Sequence, residues 1–305
     1  MSDARTLMRQ GVSPSKLYLP KIDPVPDSIF VYLCQRFGHI GEAVWGQRFD
    51  DGLVMDAFGT PLTPDARYQH GTSIHYYRQL PDEVAVPFAH RVLFENEQLM
   101  VVDKPHFLTV APAGRYVAQT LLTRLKAHTG NAELSPIHRL DRETAGLILF
   151  AKTASARSAY QALFADRAIT KMYHAIAPYK ADLQFPMSLS LHLERGEPFY
   201  TMKVGQGTPN THTDIALLQI SECGGFAKYA LNPTTGKLHQ LRVHLHHLGI
   251  PIVNDSFYPV VAHKAEDDFG QPLQLLAKHL SFIDPFSGEP MAFESGFELE
   301  LSQFI

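Results

Sequence analysis

The apolar segments of this 305-residue chain are short, and they alternate between the spacing of a strand and the spacing of a helix. Residues 99–102 and 147–150 are compact apolar runs with the length of buried strands. Residues 154–166 instead repeat apolar side chains every three or four positions, which is typical of a helix packed on one side. The combination predicts a mixed α/β fold.

Two further strands and two further helices follow the same patterns. We expect strands over residues 170–177 and 226–233, and helices over residues 117–128 and 238–248. Alternation within the first of these strands places Tyr173 on the face opposite Met172 and His174. The end of the chain, over residues 273–301, is expected to form short strands joined by turns.

The first 90 residues are expected to form a separate small α+β domain. Residues 1–28 are rich in proline and polar side chains and predict an irregular arm, followed by a short helix over residues 29–40. Glycine turn signals between residues 41 and 77 predict small strands and hairpins. Pro81 and Pro87 indicate an extended linker, so we place the domains at 1–90 and 91–305.

The composition is that of a globular protein, with 45% hydrophobic and 19% charged residues. The formal net charge of −4 disfavours a nucleic-acid partner, unless the basic residues are concentrated in one groove. Cys34 and Cys223 form neither a metal motif nor a disulfide framework, which is typical of a reducing compartment. With no signal-peptide pattern and no apolar run of 18 residues, we expect a cytoplasmic protein.

Asp141 lies between Arg139 and Arg142, just before an apolar strand. This cationic setting favours the ionised carboxylate, which can act as a nucleophile or a general base. The alternative is an ordinary surface ion pair at the entrance of a strand. The local sequence leaves both interpretations open.

Two other residues have a structural and a functional interpretation. Arg242, on a partly apolar helix, is either a structural side chain that extends to solvent or a planar fork that orients a carboxylate. Tyr173 is either a core aromatic residue or a ring that stacks on a base taken out of its helix.

Metal and cofactor sites find little support in the sequence. His239, His244, His246 and His247 lack the spacing and the partners of a zinc site. No glycine-rich phosphate loop and no GxSxG motif are present. We therefore expect neither a metal nor a cofactor.

Four ordered blocks resemble the RluA-type RNA pseudouridine synthases. The stretch of residues 138–152, HRLDRETAGLILFAK, is similar to the family's signature around its catalytic Asp. The other blocks are VDKP at residues 102–105, KMY at residues 171–173 and TGKLHQLRVH at residues 235–244. The loop over residues 249–258 is also similar, and the match extends over roughly 91–300.

The resemblance implies a fold, a reaction and a set of site residues. The fold would have a central, largely antiparallel or mixed sheet with a cleft, and the reaction would convert uridine in structured ribosomal or transfer RNA to pseudouridine. Asp141 would be catalytic, Tyr173 would contact the target base, and Arg242 would pair with Asp141. The expected substrate-binding residues are His138, Arg139, Arg142, Lys171, Lys237, His239 and Gln240. The resemblance implies no cofactor, and we expect a monomer without a membrane or an obligate protein partner.

This chain departs from the family pattern at a few positions. Ala145 stands in place of a usual Ser, Lys237 in place of an Arg, and Asn254 in place of a Gly. Ala277 and Lys278 stand where His-Ala is common. Of these, Lys237 matters most, because lysine cannot form the bidentate fork of arginine. Residues 42–78 also show a faint similarity to an S4 RNA-binding domain.

Two other classes of function remain as alternatives. One is a catalytically silent RNA-binding protein with the same groove, although Asp141, Tyr173 and Arg242 are all intact. The other is a nucleoside hydrolase or glycosidase, which would need a second acidic group or a metal-bound water. Release of free uracil would distinguish hydrolysis from isomerisation.

Overall fold

The computed structural model describes residues 7–78, 83–265 and 267–304, and the chain divides into two compact units. The first comprises Met1–Glu83, Pro112–Ala118 and Leu122–Ala132, and the second comprises Val84–Ala111, Gln119–Leu121 and Glu133–Ile305. The segments Pro112–Ala118 and Leu122–Ala132, which we assigned to the second domain, thus belong to the first unit. Glu83 accepts hydrogen bonds from the backbone of Val117 and Ala118, and Lys126 donates to Ser13. Pro81 of the predicted linker lies outside the described residues.

The first unit combines a small antiparallel sheet with helices. Its elements are β1 (Ser15–Tyr18), α1 (Ile29–Arg36), α2 (Glu42–Asp50), β2 (Val54–Met55) and β3 (Ser73–Tyr76), followed by α3 (Leu121–Thr129) from Leu122 onward. The strand order is β1-β3-β2. The Ser28 hydroxyl caps α1 by accepting from the Val31 N–H, and Leu33 and Trp45 are fully buried in the core.

Two expectations for this unit were wrong. The predicted irregular arm contains β1, which pairs with β3. Helix α2 was not predicted, because Gly46 interrupts its pattern and turn signals lie close to its end. The helix predicted over residues 29–40 is confirmed, although it ends at Arg36.

The second unit is built on a ten-stranded sheet. Its elements are β4 (Arg91–Glu95), β5 (Leu99–Lys104), β6 (Ser135–Pro136), β7 (Ala145–Ala151), α4 (Ala154–Ala165), β8 (Thr170–Pro178), β9 (Met187–Leu191), β10 (Leu193–Arg195), β11 (Met202–Val204), β12 (Thr211–Ile220), β13 (Phe226–Pro233), α5 (Gln240–His247), β14 (Leu275–Ile283) and β15 (Pro290–Glu294). The main order is β4-β5-β7-β14-β8-β13-β12-β9, and β10 and β11 form a separate hairpin.

Only one pair of strands in the described part of this sheet is parallel, namely β7 with β14. The predicted mixed, largely antiparallel sheet is therefore confirmed. Every residue of β7 is buried, as expected for a central strand. At the parallel contact Gly146 adopts φ +108°, and an added Cβ would lie 2.3 Å from the Ala277 carbonyl oxygen. Only glycine therefore fits this position without a backbone shift.

Helix α5 covers part of the sheet next to β8 and β13. Leu241 and Leu245 pack into a cluster with Ala175, Tyr229 and Leu231. This packing anchors the helix that carries Arg242. Among the residues that the structure describes, no helix has both the length and the hydropathy needed to cross a bilayer.

We expect Leu149→Ala to lower the free energy of unfolding by roughly 2–5 kcal/mol, because it leaves a cavity in a closed core. Urea denaturation measures the loss. Leu218→Ala is the matched control, since Leu218 is 49% exposed and its truncation should cost about 1 kcal/mol or less. Equal losses in the two variants would contradict the burial assigned to β7.

Candidate active site

The Asp141 loop leads directly into the central strand β7. The Thr144 N–H donates to the Asp141 carbonyl oxygen at 3.1 Å, which closes a turn. The fully buried Lys104, at the end of β5, donates to the carbonyl oxygens of Arg142, Pro105 and Leu108 at 3.2, 2.9 and 2.9 Å. Lys104 therefore fastens this loop to the neighbouring strand.

Burial lowers the pKa of Lys104 to about 7, and the nearby charge of Asp141 opposes this shift. Lys104 belongs to the VDKP block, but no role was predicted for it. A lysine at the end of an apolar strand was the available signal, since such a residue needs buried acceptors.

Arg242 pairs with Asp141, as predicted: its Nη1 lies 3.3 Å from Asp141 Oδ2. Its stronger partner is Asp255, which accepts from Nε at 2.8 Å and from Nη2 at 2.5 Å. A third carboxylate, that of Glu143, lies 3.7 Å from Nη2. Neither Asp255 nor Glu143 was assigned a role from sequence. One buried guanidinium thus holds carboxylates from two chain segments.

The Arg242 side chain is only 2% exposed. Burial by itself disfavours its charge, but hydrogen bonding to Asp255 and the charges of Asp255, Asp141 and Glu143 outweigh burial and raise the pKa of Arg242. The guanidinium also lies 4.8 Å from the ring centroid of Phe257, a favourable cation–π distance. It remains a fixed positive charge beside Asp141.

Asp141 and Tyr173 line the same cavity, of about 230 Å³. This is smaller than the roughly 300–1,000 Å³ of pockets for drug-sized ligands, so it suits a single ring. Burial, and secondarily the charge of Asp141, raise the pKa of Tyr173, so the phenol stays protonated. The role of Tyr173 as a ring that stacks on the target base stays a prediction.

A second cavity, of about 640 Å³, shares several wall residues with the first. Its lining includes four cationic side chains, those of Arg139, Arg167, Lys171 and Lys237. Among the described residues, no carboxylate lines this cavity. This concentration of positive charge is what we expected of an acidic protein that binds nucleic acid. Arg167 was not predicted, because nothing in its local sequence marks it.

The side-chain amide of Gln240 makes four hydrogen bonds within the protein. Its Oε1 accepts from the Thr235 hydroxyl and the Lys237 N–H, and its Nε2 donates to the His212 carbonyl and the Thr213 hydroxyl. Gln240 thereby shapes the loop over residues 235–237, which forms a wall of both cavities. Its role as a substrate contact stays a prediction.

His138 and Arg142 make contacts within the protein, and their roles as substrate-binding residues stay predictions. The His138 Nε2 accepts from the Leu149 N–H at 3.1 Å, its ring stacks on Phe164, and burial lowers its pKa to about 3. His138 lies at the wall of the second cavity as a neutral ring that also supports β7. The Arg142 guanidinium lies 5.7 Å from the centre of the Phe107 ring and lines neither cavity.

The remaining predicted residues lie at the cavities. Lys171 and Lys237 line both of them, and the Lys171 ammonium donates to the Thr235 carbonyl at 3.4 Å. Burial lowers the pKa of Lys171. His239 lines the smaller cavity, with its Nε2 3.9 Å from Asp141 Oδ2. Among the described residues, no three His, Cys, Asp or Glu side chains are grouped as ligands for a metal ion.

We expect Arg242→Ala to lower the free energy of unfolding by about 3–5 kcal/mol, because Asp255 and Glu143 would be left in a buried site without their cation. Urea titration measures the loss. Arg157→Ala, at an exposed arginine of α4, is the control; a deficit no larger than in this control would refute the proposed coupling.

Residues 98–247 match the family described as RNA pseudouridylate synthase. An uncharacterised RNA pseudouridine synthase of Mycoplasma pneumoniae is 31% identical over 256 residues, covering 80% of this chain and 81% of the relative. The tRNA pseudouridine synthase C of Vibrio cholerae is 29% identical, covering 68% of this chain and 91% of the relative.

The solved structure of human RNA pseudouridylate synthase domain containing 1 shares the fold. Its TM-score is 0.55 at 23% identity, over 71% of this chain and 86% of that chain. The sequence similarity extends over four fifths of the chain, and the motif around Asp141 lies within the matched residues. The chain therefore belongs to the RNA pseudouridine synthase family, as its four RluA-type blocks indicated.

Proposed function

We propose that this protein, an RNA uridine isomerase, forms pseudouridine in ribosomal or transfer RNA with Asp141 as its catalytic residue. One observation carries the assignment of the residues. Asp141 and Tyr173 line one ring-sized cavity, and the buried Arg242 lies 3.3 Å from the Asp141 carboxylate. A flipped uridine in this cavity would have a carboxylate near its sugar and an aromatic ring near its base.

The reaction breaks the bond from C1′ of the ribose to N1 of uracil and forms a bond from C1′ to C5. A proton leaves C5 and N1 gains one, so the product has the mass of the substrate. Asp141 would either attack C1′ or remove a proton from the sugar to give a glycal, and both routes need its ionised form. The buried Arg242 guanidinium, 3.3 Å from Asp141 Oδ2, supplies the matching positive charge.

The cavity supports isomerisation over hydrolysis. Hydrolysis of a glycosidic bond usually needs a second acid to assist the leaving group. The two other carboxylates nearby, those of Asp255 and Glu143, are bound by Arg242 and Ser256 and do not line the cavity. Apolar walls, including Leu140 and Leu275, help to keep water from the detached base.

The second cavity supplies the complementary charge for the RNA backbone. We assign phosphate contacts to four residues that line this one cavity: Arg139, Arg167, Lys171 and Lys237. Within the described part of the chain, no acidic residue lines the same cavity. The net charge of −4 then describes the protein as a whole but not this surface. A silent RNA-binding protein would use the same cations, but it would not need Asp141 to be held by Arg242.

We also propose that the first unit helps to select the RNA. The side chains of Lys16 and Tyr18 are both exposed on the same face of β1. There the cation of Lys16 can contact a phosphate, and the ring of Tyr18 can stack on a base. Such contacts on a second part of the RNA would raise affinity through effective concentration. The alternative is a unit with a purely structural role. The S4 resemblance of residues 42–78 stays a prediction.

We expect Asp141→Asn to fold normally and to lose pseudouridine formation by at least about 10²-fold, because the amide can neither attack the sugar nor accept its proton. The assay maps pseudouridine in RNA from cells that lack the protein, before and after treatment with the pure enzyme. Asp182→Asn, at an exposed carboxylate, is the control. A variant at Asp141 that stays within about tenfold of the wild type, or release of free uracil by the wild type, would reject the assignment.

We expect Arg167→Gln to weaken RNA binding across sequences and to raise KM several-fold with little change in kcat. The slope of the logarithm of affinity against the logarithm of salt concentration should fall by about 1, because one phosphate contact is lost. The exposed Arg157, which lines neither cavity, provides the control Arg157→Gln. An unchanged salt slope would remove Arg167 from the RNA-binding surface.

We expect the double variant Lys16→Gln, Lys21→Gln to bind RNA more weakly, with kcat unchanged. Both lysines are exposed in the first unit, so the fold should tolerate the change. The measurement is kcat/KM at several salt concentrations on two substrates: the native RNA, and a short RNA that contains only the modified site. Wild-type kcat/KM and salt dependence on both RNAs would count against a recognition role.

A further inference from the structure

The two oxygens of the Asp141 carboxylate have different surroundings. Arg242 Nη1 lies 3.3 Å from Oδ2, and His239 Nε2 lies 3.9 Å from the same atom. Within the described residues, no protein hydrogen bond is made to Oδ1, whereas Arg242 donates to Oδ2. The nearest donors of Arg242 and His239 thus both lie beside Oδ2.

His239 has an unusual backbone conformation at the start of α5. Its φ is +53°, in the left-handed region that costs a residue other than glycine roughly 1–2 kcal/mol. Only 8% of the residue is exposed. Such strain persists where the surrounding structure fixes it, and it often accompanies a function. In this protein the left-handed backbone at His239 places its imidazole between Tyr258 and Asp141.

Tyr258 determines which nitrogen of His239 carries the proton. The Tyr258 oxygen accepts from the Met202 N–H at 2.8 Å and lies 3.0 Å from His239 Nδ1. Among the described residues, Nδ1 is the one acceptor within reach of the buried tyrosine hydroxyl. The hydroxyl therefore donates to Nδ1, and in the neutral ring the proton resides on Nε2.

Burial also keeps this imidazole uncharged. It lowers the pKa of His239 to about 4, and the positive charges of Arg242 and Arg139 act in the same direction, although Asp141 opposes them. At neutral pH the ring thus offers an N–H donor without adding a second cation beside Asp141. The charge of the carboxylate is then balanced chiefly by Arg242.

We propose that Tyr258 and His239 form a positioning pair: Tyr258 fixes the tautomer, His239 Nε2–H restrains Oδ2 of Asp141, and Oδ1 is the oxygen that reacts with the sugar. The inference rests on the proposed function and extends it to the choice of the reacting atom. A distance of 3.9 Å is longer than a hydrogen bond, but such contacts often tighten when substrate binds. His239 thereby becomes a residue that acts on Asp141 rather than on the RNA.

The tautomer is tested without RNA. Nitrogen-15 NMR of the imidazoles near pH 7 should show His239 as the neutral form protonated at Nε2, identified by the signal that disappears in His239→Asn. Asparagine tolerates the left-handed backbone, so this variant is expected to fold. In Tyr258→Phe the signal should shift towards a mixture of tautomers. A charged ring, or a ring protonated at Nδ1, in the wild-type protein would overturn the proposal.

The kinetic test separates positioning from RNA binding. Tyr258→Phe should lower kcat roughly tenfold and leave KM unchanged, the effect of about one hydrogen bond. His239→Asn should lose more, and His239→Gln, whose amide nitrogen can reach the place of Nε2, should recover part of the loss. Tyr229→Phe is the matched control, because it removes a tyrosine hydroxyl that donates to the Pro178 carbonyl.

Wild-type kcat in Tyr258→Phe, or a change confined to KM in both His239 variants, would overturn the positioning role. A wild-type protein that makes no pseudouridine in any RNA would instead refute the proposed function. The NMR result stands apart from that outcome, so the two failures are distinguishable.

Discussion

The site depends on one buried guanidinium that holds three carboxylates. Arg242 binds Asp255 through two hydrogen bonds, pairs with Asp141, and lies near Glu143. Buried charges are costly unless their partners are well placed, and here a single side chain from α5 provides the partner for two loops. The position of Asp141 relative to the sheet is therefore set by a helix far along the chain. A change that displaces Arg242 on α5 therefore changes the site.

The protein separates two kinds of charge. The carboxylate of Asp141 is paired with the buried guanidinium of Arg242, 3.3 Å away, so its counter-charge is in place before a substrate arrives. Along the second cavity the cations of Arg139 and Arg167 are exposed. Buried charges with fixed positions can orient a catalytic group, whereas exposed cations can follow a phosphate backbone whose path varies. With the RNA-binding role that we propose for the second cavity, this division accounts for RNA binding by a chain with a net charge of −4.

The sequence was most informative where a residue's chemistry is tied to a motif. The pairing of Asp141 with Arg242 and the direction of Tyr173 follow from the blocks and from strand alternation. Asp255 and Lys104 gained their roles only from the fold, because a lone carboxylate or lysine carries no pattern that names its partner. Strands β9 to β12, over residues 187–220, were not predicted, since their apolar residues are diluted by polar ones on an open face.

The pairing across α5 also constrains when the site exists during protein synthesis. Arg242 follows Asp141 by 101 positions, and Asp255 follows Arg242 by 13. Because a chain is made from its amino terminus, a growing polypeptide that has already released the Asp141 loop still lacks the cation that holds it. We therefore expect a nascent chain to be inert toward the RNA that surrounds it on the ribosome. The activity would switch on late, when α5 and the segment beyond it have emerged and docked.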